Sequence, residues 1–98
     1  MNIEDYIHTK TVVHCPTVED FDKITELCTK AGLPWDVSSI TNVRRQAFET
    51  HGSDLCLTLN NNSLFYSEIK HYVKKEYRII HASEFTTRNY LPWIYTGE

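Results

Sequence analysis

The sequence has few cysteines and no long hydrophobic run. Its 98 residues include three cysteines, which are odd in number, far apart and set within apolar patterns. This spacing argues against a disulfide scaffold and favours reduced, buried thiols at Cys15, Cys28 and Cys56, as in a cytosolic protein. No apolar stretch approaches the length of a membrane span, and the N-terminal segment MNIEDYIHTK carries acids, so we expect neither a membrane helix nor a targeting peptide. We therefore expect a cytoplasmic protein.

The sequence also lacks an excess of positive charge. Lys and Arg number 10 against 13 Asp and Glu, which gives a net charge of −3 and a pI near 5.9. No global positive field is therefore expected to hold nucleic acid through its phosphates. The basic run from Lys70 to Lys75 includes one aromatic residue, but helical spacing divides the run between a core edge and a solvated edge. Association with nucleic acid is a minor alternative.

Residues 11–32, TVVHCPTVEDFDKITELCTKAG, predict a strand followed by a helix. β-Branched residues within 11–15 are typical of a buried strand, and Pro16 ends it. Thr17, with Asp20 three residues later, comes close to a capping box, so the helix should begin at Val18. Gly32 supplies the left-handed residue that ends the helix. The residues predicted to face inward are Val18, Phe21, Ile24, Leu27, Cys28 and Ala31.

The middle of the chain gives weaker signals. Residues 33–37 are interpreted as a short edge strand, where Pro34 is tolerated best. Residues 38–54 are rich in Ser, Thr and Asn, and they are expected to hold a short helix through Val43, Ala47 and Phe48 before a turn at 51–54. Alternating apolar residues in 55–59, an Asn-Asn-Asn turn and a returning segment at 64–66 then predict a hairpin.

The last third of the chain predicts a short helix and a closing strand. Ser67 is expected to cap the helix, with Ile69, Tyr72 and Val73 facing inward. Residues 77–81 form the closing strand, and residues 83–85 form one helical turn. The order strand-helix-hairpin-helix-strand favours a single α+β domain over residues 1–98, with a small mixed sheet and two helices on one face. A ferredoxin-like variant is the nearest simple architecture, with strands 11–15 and 77–81 as central neighbours.

Two histidines lie at the carboxyl ends of the strands predicted to be neighbours. If these strands pair in parallel, the rings of His14 and His81 approach each other where ligands favour open sheets. With Cys15 nearby, a zinc site or a cysteine–histidine nucleophile can be considered. The spacing supports neither, because the sequence has no C-x-x-C or H-x-x-x-H pair. We predict no catalytic residue, no metal and no cofactor.

Arg44 and Arg45 are the candidate ligand-binding residues. Paired guanidinium groups offer the planar forks that recognise phosphates or carboxylates, and Trp35 and Tyr66 could supply an aromatic surface for a base. A solvated helix face is the simpler interpretation of the two charges.

Residues 86–98 form an unusually aromatic C-terminal tail. Tyr90, Trp93 and Tyr95 are residue types that protein interfaces use as anchors. The tail either folds back to complete a small core or packs against a second chain, and the two alternatives are equally favoured. A protein-binding surface would combine the tail with the acidic face of the first helix, namely Glu19, Asp22 and Glu26.

Several short motifs resemble a group of small proteins encoded in bacteriophage and prophage genomes. The motifs are TVVHCPTVEDFDKI, the G-x-x-W of residues 32–35, DLCLTL, FYS and KKEYRIIHASEF. Residues 76–85 match that group's closing Gly-Tyr-x-Ile-Ile-x-x-x-Glu-Phe pattern except that Glu76 replaces the glycine. The resemblance covers residues 11–35 and 54–85, and it carries over no catalytic residues.

The resemblance implies a mode of action by binding. Small acidic phage proteins without enzymatic motifs commonly block a host protein or sequester a signalling nucleotide. We expect a non-enzymatic protein that counters host defence, or modulates a host protein, by direct contact in the bacterial cytoplasm, most simply as a homo-oligomer. The alternative is sequestration of a small signalling nucleotide by Trp35, Arg44, Arg45 and Tyr66 at a subunit interface.

Overall fold

The computed structural model describes residues 1–33, 35, 37–59 and 64–85. In this part of the chain it has three α-helices and one four-stranded mixed sheet, which confirms the predicted small α+β fold. None of the described helices is both long enough and apolar enough to cross a bilayer. The aromatic tail, with Tyr90, Trp93 and Tyr95, lies outside the described residues.

The first strand and helix form as the sequence predicts. Strand β1 spans Thr11–His14 and helix α1 spans Val18–Lys30. The Thr17 hydroxyl accepts a hydrogen bond from the Asp20 backbone N–H at 3.2 Å and donates one to the Asp20 carboxylate at 2.9 Å. Gly32 has a φ of +104°, the left-handed conformation that follows the helix end. The buried apolar residues of α1 are Phe21, Ile24, Leu27 and Cys28.

The longest helix lies where the sequence is least informative. Helix α2 spans Val37–His51 and has 15 residues. The predicted strand over 33–37 is therefore wrong, because Val37 begins a helix and the described residues Leu33 and Trp35 are buried without being in a strand. The predicted short helix is a full α-helix, whose core face comprises Ile40, Val43, Ala47 and Phe48.

The sheet joins parallel and antiparallel strands. Strands β2, β3 and β4 span Leu55–Thr58, Tyr66–Glu68 and Arg78–His81, and the order is β3-β2-β1-β4. The β2–β3 pair is the predicted hairpin, and β1 pairs with β4 in parallel as predicted. β4 lies at the sheet edge and not in the centre. Because the parallel strands are adjacent, the sheet departs from the split arrangement of a ferredoxin-like fold.

The two faces of the sheet carry different helices. Alternation along β2 directs Leu55 and Leu57 into the larger core cluster with α1 and α2, whereas Cys56 belongs to a smaller cluster with Tyr72. Tyr72 lies on helix α3, Ile69–Lys74. Two helices thus share one face as expected, but the second of them is α2. Helix α3 lies on the other face.

Helix α3 differs from its prediction in two details. Ser67 lies in β3, so Glu68 takes the N-cap position and makes no side-chain capping hydrogen bond. Val73, predicted to face inward, is 59% exposed. A helix of six residues has fewer than two turns, so few side chains can face the sheet, and Ile69 and Tyr72 take those positions.

The closing segment packs back onto the start of the chain. A 3-10 turn at Ala82–Glu84 follows β4, as predicted, and Phe85 is fully buried. The Phe85 ring meets the Tyr6 ring edge to face, with centroids 5.6 Å apart. The Met1 ammonium donates to the Glu84 carbonyl at 2.8 Å, and the Lys23 ammonium donates to the Ala82 carbonyl at 3.1 Å.

Candidate functional site

A groove of about 580 Å³ lies along α2 where that helix meets the first turn of α1. We call it the α2 groove. Phe48 is the aromatic residue of its lining, and the Phe48 ring packs edge to face on Phe21 of α1 with centroids 5.9 Å apart. This contact fixes the position of the Phe48 ring. The residues that line the groove are Val18, Thr41, Asn42, Arg44, Arg45, Phe48 and Glu49.

Arg44 bridges the two helices through an ion pair. Its Nε donates to Oδ1 of Asp22 at 2.9 Å, and its terminal nitrogen donates to Oδ2 at 3.2 Å. The side chains of Arg44 and Asp22 are 46% and 51% exposed. A pair this exposed contributes at most about 1 kcal/mol to stability, since water competes for both charges. An anion in the groove could therefore compete with Asp22 for this guanidinium.

Arg45 is the available cation of the α2 groove. Its side chain is exposed and makes no hydrogen bond or ion pair with any residue that the structure describes. Arg45 precedes Glu49 by one helical turn, and both line the groove, so the groove has a carboxylate on the helix surface next to the guanidinium. The structure thus brings both predicted arginines to one cavity.

The predicted aromatic partners of the arginines do not join them. Trp35 is 5% exposed and belongs to the core, and its Nε1 is buried without a hydrogen-bond partner among the described residues. Tyr66 lies on β3 with its ring against His51, at a centroid distance of 5.7 Å. Neither residue lines the α2 groove. Phe48 takes the aromatic position that the sequence interpretation gave to Trp35 and Tyr66.

The acidic face of α1 is partly neutralised within the molecule. Glu19, Asp22 and Glu26 are all exposed, as predicted. Asp22 is held by Arg44, and Glu26 lies 3.9 Å from Lys30. Glu19 has no hydrogen-bond or ion-pair partner among the described residues.

The two histidines meet at the sheet edge as predicted. Parallel register places His14 beside His81, and the ring centroids lie 5.6 Å apart with nearly perpendicular planes. Nε2 of His14 lies 2.7 Å from the carbonyl oxygen of Ser53, so this nitrogen carries the proton and donates. Nδ1 of His81 lies 3.0 Å from the backbone nitrogen of Ser83 and 2.9 Å from its hydroxyl oxygen.

Cys15 does not join the histidines. Its side chain is fully buried in the larger core cluster, and its thiol donates weakly to the Val13 carbonyl. Burial, and secondarily the charge of Asp20, raises the pKa of the Cys15 thiol well above its usual range. The cysteine–histidine nucleophile therefore has no support in the geometry. All three cysteines are free and buried, which confirms that prediction.

Within residues 1–33, 35, 37–59 and 64–85 there is no group of three or more His, Cys, Asp or Glu that could hold a metal ion.

A second, smaller groove of about 260 Å³ opens beside Lys10 and Arg78. Each of these cations lies over an aromatic ring, Lys10 over Tyr77 and Arg78 over Tyr6. These contacts leave both charges in place, but this groove has less than half the volume of the α2 groove, so the α2 groove is the stronger candidate for a ligand that carries a planar ring.

The α2 groove could be found in the sequence only once α2 is known. Arg44, Arg45 and Phe48 fall within five positions, and a helix places their side chains along one region of its surface. No family model matches this chain, and searches of curated proteins and of solved structures returned no match.

Proposed function

We propose that this protein acts by binding and not by catalysis, and that the α2 groove is its ligand site. One observation carries the proposal: two guanidinium groups and an aromatic ring line a single cavity of about 580 Å³. Cavities that bind small molecules typically measure about 300–1,000 Å³. The ligand that fits is a small anion with a planar ring, such as a signalling nucleotide, which the protein would sequester.

The side chains of the groove suit the two parts of such a ligand. A guanidinium fork pairs with two phosphate oxygens at once, and Arg45 is available for this contact. The Phe48 ring offers an apolar surface for a planar base, and the Asn42 amide can donate to and accept from polar groups at its edge. The Glu49 carboxylate would repel a second phosphate group placed beside it in the groove.

The test measures nucleotide binding by the full chain and two variants. Calorimetric titration would use a panel of adenine and guanine nucleotides that includes cyclic dinucleotides. We expect one class of nucleotide to bind the wild type at a fixed ratio. Arg45→Ala should weaken that binding at least about tenfold, because a charge-assisted hydrogen bond contributes about 1.5–3 kcal/mol.

Lys74→Ala is the matched control for Arg45→Ala. It removes the same unit of charge from an exposed position on α3, on the opposite face of the sheet. Unchanged affinity in this control, with loss in Arg45→Ala, would support a site in the α2 groove. Equal losses in both variants, or no binding of any nucleotide in the panel, would reject the proposal.

A protein partner is the second candidate, and exposed side chains favour it. Glu19 on α1 is exposed without a hydrogen-bond or ion-pair partner among the described residues, and Phe65 is 53% exposed. Val73 is 59% exposed on α3, on the opposite face of the sheet, where it would belong to a separate contact. In this proposal a phage-encoded homo-oligomer binds a host protein in the bacterial cytoplasm and thereby counters the defence of the host cell. Large exposed apolar side chains and an open acidic position suit such a contact.

Native mass spectrometry separates the two candidates. Tagged protein would be recovered from a bacterial host that carries active defence systems. A host protein at fixed stoichiometry, lost in Glu19→Lys, would support protein capture. A bound mass of a few hundred daltons, lost in Arg45→Ala, would support sequestration. The mass of the unbound protein would report whether the chain forms an oligomer.

A further inference from the structure

The histidine pair at the carboxyl ends of β1 and β4 is open to a ligand. His81 is exposed and His14 is half-buried. Backbone pairing between the two strands fixes the spacing, since His14 and His81 are direct partners in the parallel register. Main-chain pairing therefore fixes the backbone positions of both histidines at the carboxyl ends of their strands, independently of the α2 groove.

The separation of the rings fits a shared metal ion. A zinc–imidazole bond is about 2.0–2.1 Å, and the ring centre lies about 1.1 Å beyond the nitrogen, so each centroid would lie about 3.2 Å from the ion. At a tetrahedral angle the two centroids would then be about 5.2 Å apart. The observed centroid distance of 5.6 Å is within a few tenths of an ångström of that value.

His14 already has the tautomer that a metal ligand needs. Its Nε2–H donates to the Ser53 carbonyl at 2.7 Å, which leaves the lone pair on Nδ1. Metal-binding histidines almost always donate their second ring nitrogen to a carbonyl, a carboxylate or a water in this way, because the hydrogen bond fixes the tautomer and the ring orientation.

His81 can reach the required tautomer through one serine. In the metal-free protein its Nδ1 accepts from the Ser83 backbone N–H at 3.0 Å, so the proton sits on Nε2. When an ion takes the Nε2 lone pair, the proton sits on Nδ1 and donates to the Ser83 hydroxyl oxygen, which is already 2.9 Å away. The Ser83 backbone N–H then loses its acceptor and must turn toward water. Metal binding therefore breaks one backbone hydrogen bond at His81, and no net proton is released.

We propose that His14 and His81 bind one divalent transition-metal ion, with water completing its coordination. Imidazole nitrogen suits zinc, nickel and copper, and the general order of stability places copper above the other two. Both second ring nitrogens have protein partners at hydrogen-bond distance, which is the support that such sites require.

The test titrates the full chain, with any affinity tag removed, with Zn²⁺ and Cu²⁺ alone. Calorimetry should show saturation at one ion per chain. His14→Gln and His81→Gln should each weaken binding more than about tenfold, since losing a ligand exceeds the 10-fold to 100-fold cost of losing a supporting hydrogen bond. His71→Gln is the matched control, because His71 is exposed on α3, on the opposite face of the sheet. Its affinity should equal that of the wild type.

Imidazole NMR of the unaltered protein gives a second readout that does not depend on variants. On addition of Zn²⁺ the ring nitrogens of His14 and His81 should shift, and His81 should change from the Nε2–H to the Nδ1–H tautomer. Shifts confined to His8, His51 or His71, no saturable binding, or equal affinity in His14→Gln and His71→Gln would each overturn the proposal. Arg45→Ala should bind zinc normally, so this result is independent of the α2 groove.

Discussion

At the scale of single residues, the buried thiols give the molecule a defined response to high pH. Burial, with a smaller effect from Asp54, raises the pKa of Cys56 to about 12 from an ordinary value of 9.0. Cys15 and Cys28 are shifted in the same direction, mainly by burial. Above pH 9 the unfolded chain loses these protons while the native state retains them, so the unfolded state is increasingly favoured.

We therefore expect the free energy of unfolding to fall as pH rises from about 9 to 12. Each thiol contributes a slope of up to about 1.4 kcal/mol per pH unit in this window. Urea titrations at successive pH values would measure the slope. Cys56→Ala should show a shallower decline than the wild type, because it removes one thiol with a raised pKa and also the smaller upward effect of the Cys56 charge on the pKa values of Tyr72 and Cys15. Identical slopes in the two proteins would contradict the assignment.

Trp35 has a structural role and not the ligand-binding role that its residue type suggested. Its side chain is 5% exposed and packs in the larger core cluster. Trp35→Ala should lower the free energy of unfolding by about 3–5 kcal/mol, because it removes a large buried ring. Urea denaturation followed by far-ultraviolet circular dichroism would measure the loss. A variant of unchanged stability that no longer binds nucleotide would instead restore Trp35 to the ligand site.

At the scale of elements, the contact between α1 and α2 couples the acidic face to the α2 groove. Asp22 holds the Arg44 fork with two hydrogen bonds, of 2.9 and 3.2 Å. Asp22→Asn should change stability by less than about 1 kcal/mol, since both side chains are exposed. It should also raise the affinity of the groove for an anionic ligand, because Arg44 is released from its internal partner.

Glu26→Gln is the control for Asp22→Asn. It also removes one negative charge from the exposed face of α1, but the partner of Glu26 is Lys30 and not Arg44. Calorimetric titration with the nucleotide that the wild type binds would compare the two variants. Equal gains in affinity would mean that general charge, and not release of Arg44, controls binding.

The same two helices show how far the sequence predicts this fold. Helix α1 is predictable because its apolar spacing, its Thr17 cap and Gly32 agree with one another. Helix α2 is not, because Ser, Thr and Asn in its first half have weak helix propensity and dilute the apolar pattern. Its helical state depends on tertiary packing, through fully buried Ala47 and the contact of Phe48 with Phe21.

Of the two candidate sites, one is predictable from the sequence and the other is not. The approach of His14 to His81 is predictable because strand pairing alone produces it. The α2 groove is not, because it exists only when α2 is a helix packed on α1, which brings Phe48 beside both arginines. Pairing Trp35 and Tyr66 with the arginines was an inference from residue type, and residue type does not specify which aromatic ring is near.

At the scale of the whole molecule, the sheet links two core clusters that share strands. Along β1, Val13 belongs to the larger cluster under α1 and α2, and Val12 belongs to the smaller cluster under α3. Strand β2 alternates in the same way. Neither cluster can lose its packing without exposing residues of the same two strands, so we expect both to unfold in one cooperative transition.

Two local probes can test this cooperativity. In a Trp93→Phe variant the fluorescence reports Trp35 alone, within the larger cluster. Labelling of Cys56 by a thiol reagent, read by mass spectrometry, reports the smaller cluster. Both signals should give the same urea midpoint. A lower urea midpoint for Cys56 labelling would mean that α3 and the sheet face under it open before the larger cluster. This result would contradict cooperative unfolding, because the shared strands would then not couple the two faces of the sheet. The short length of α3, six residues, is what would allow such an opening.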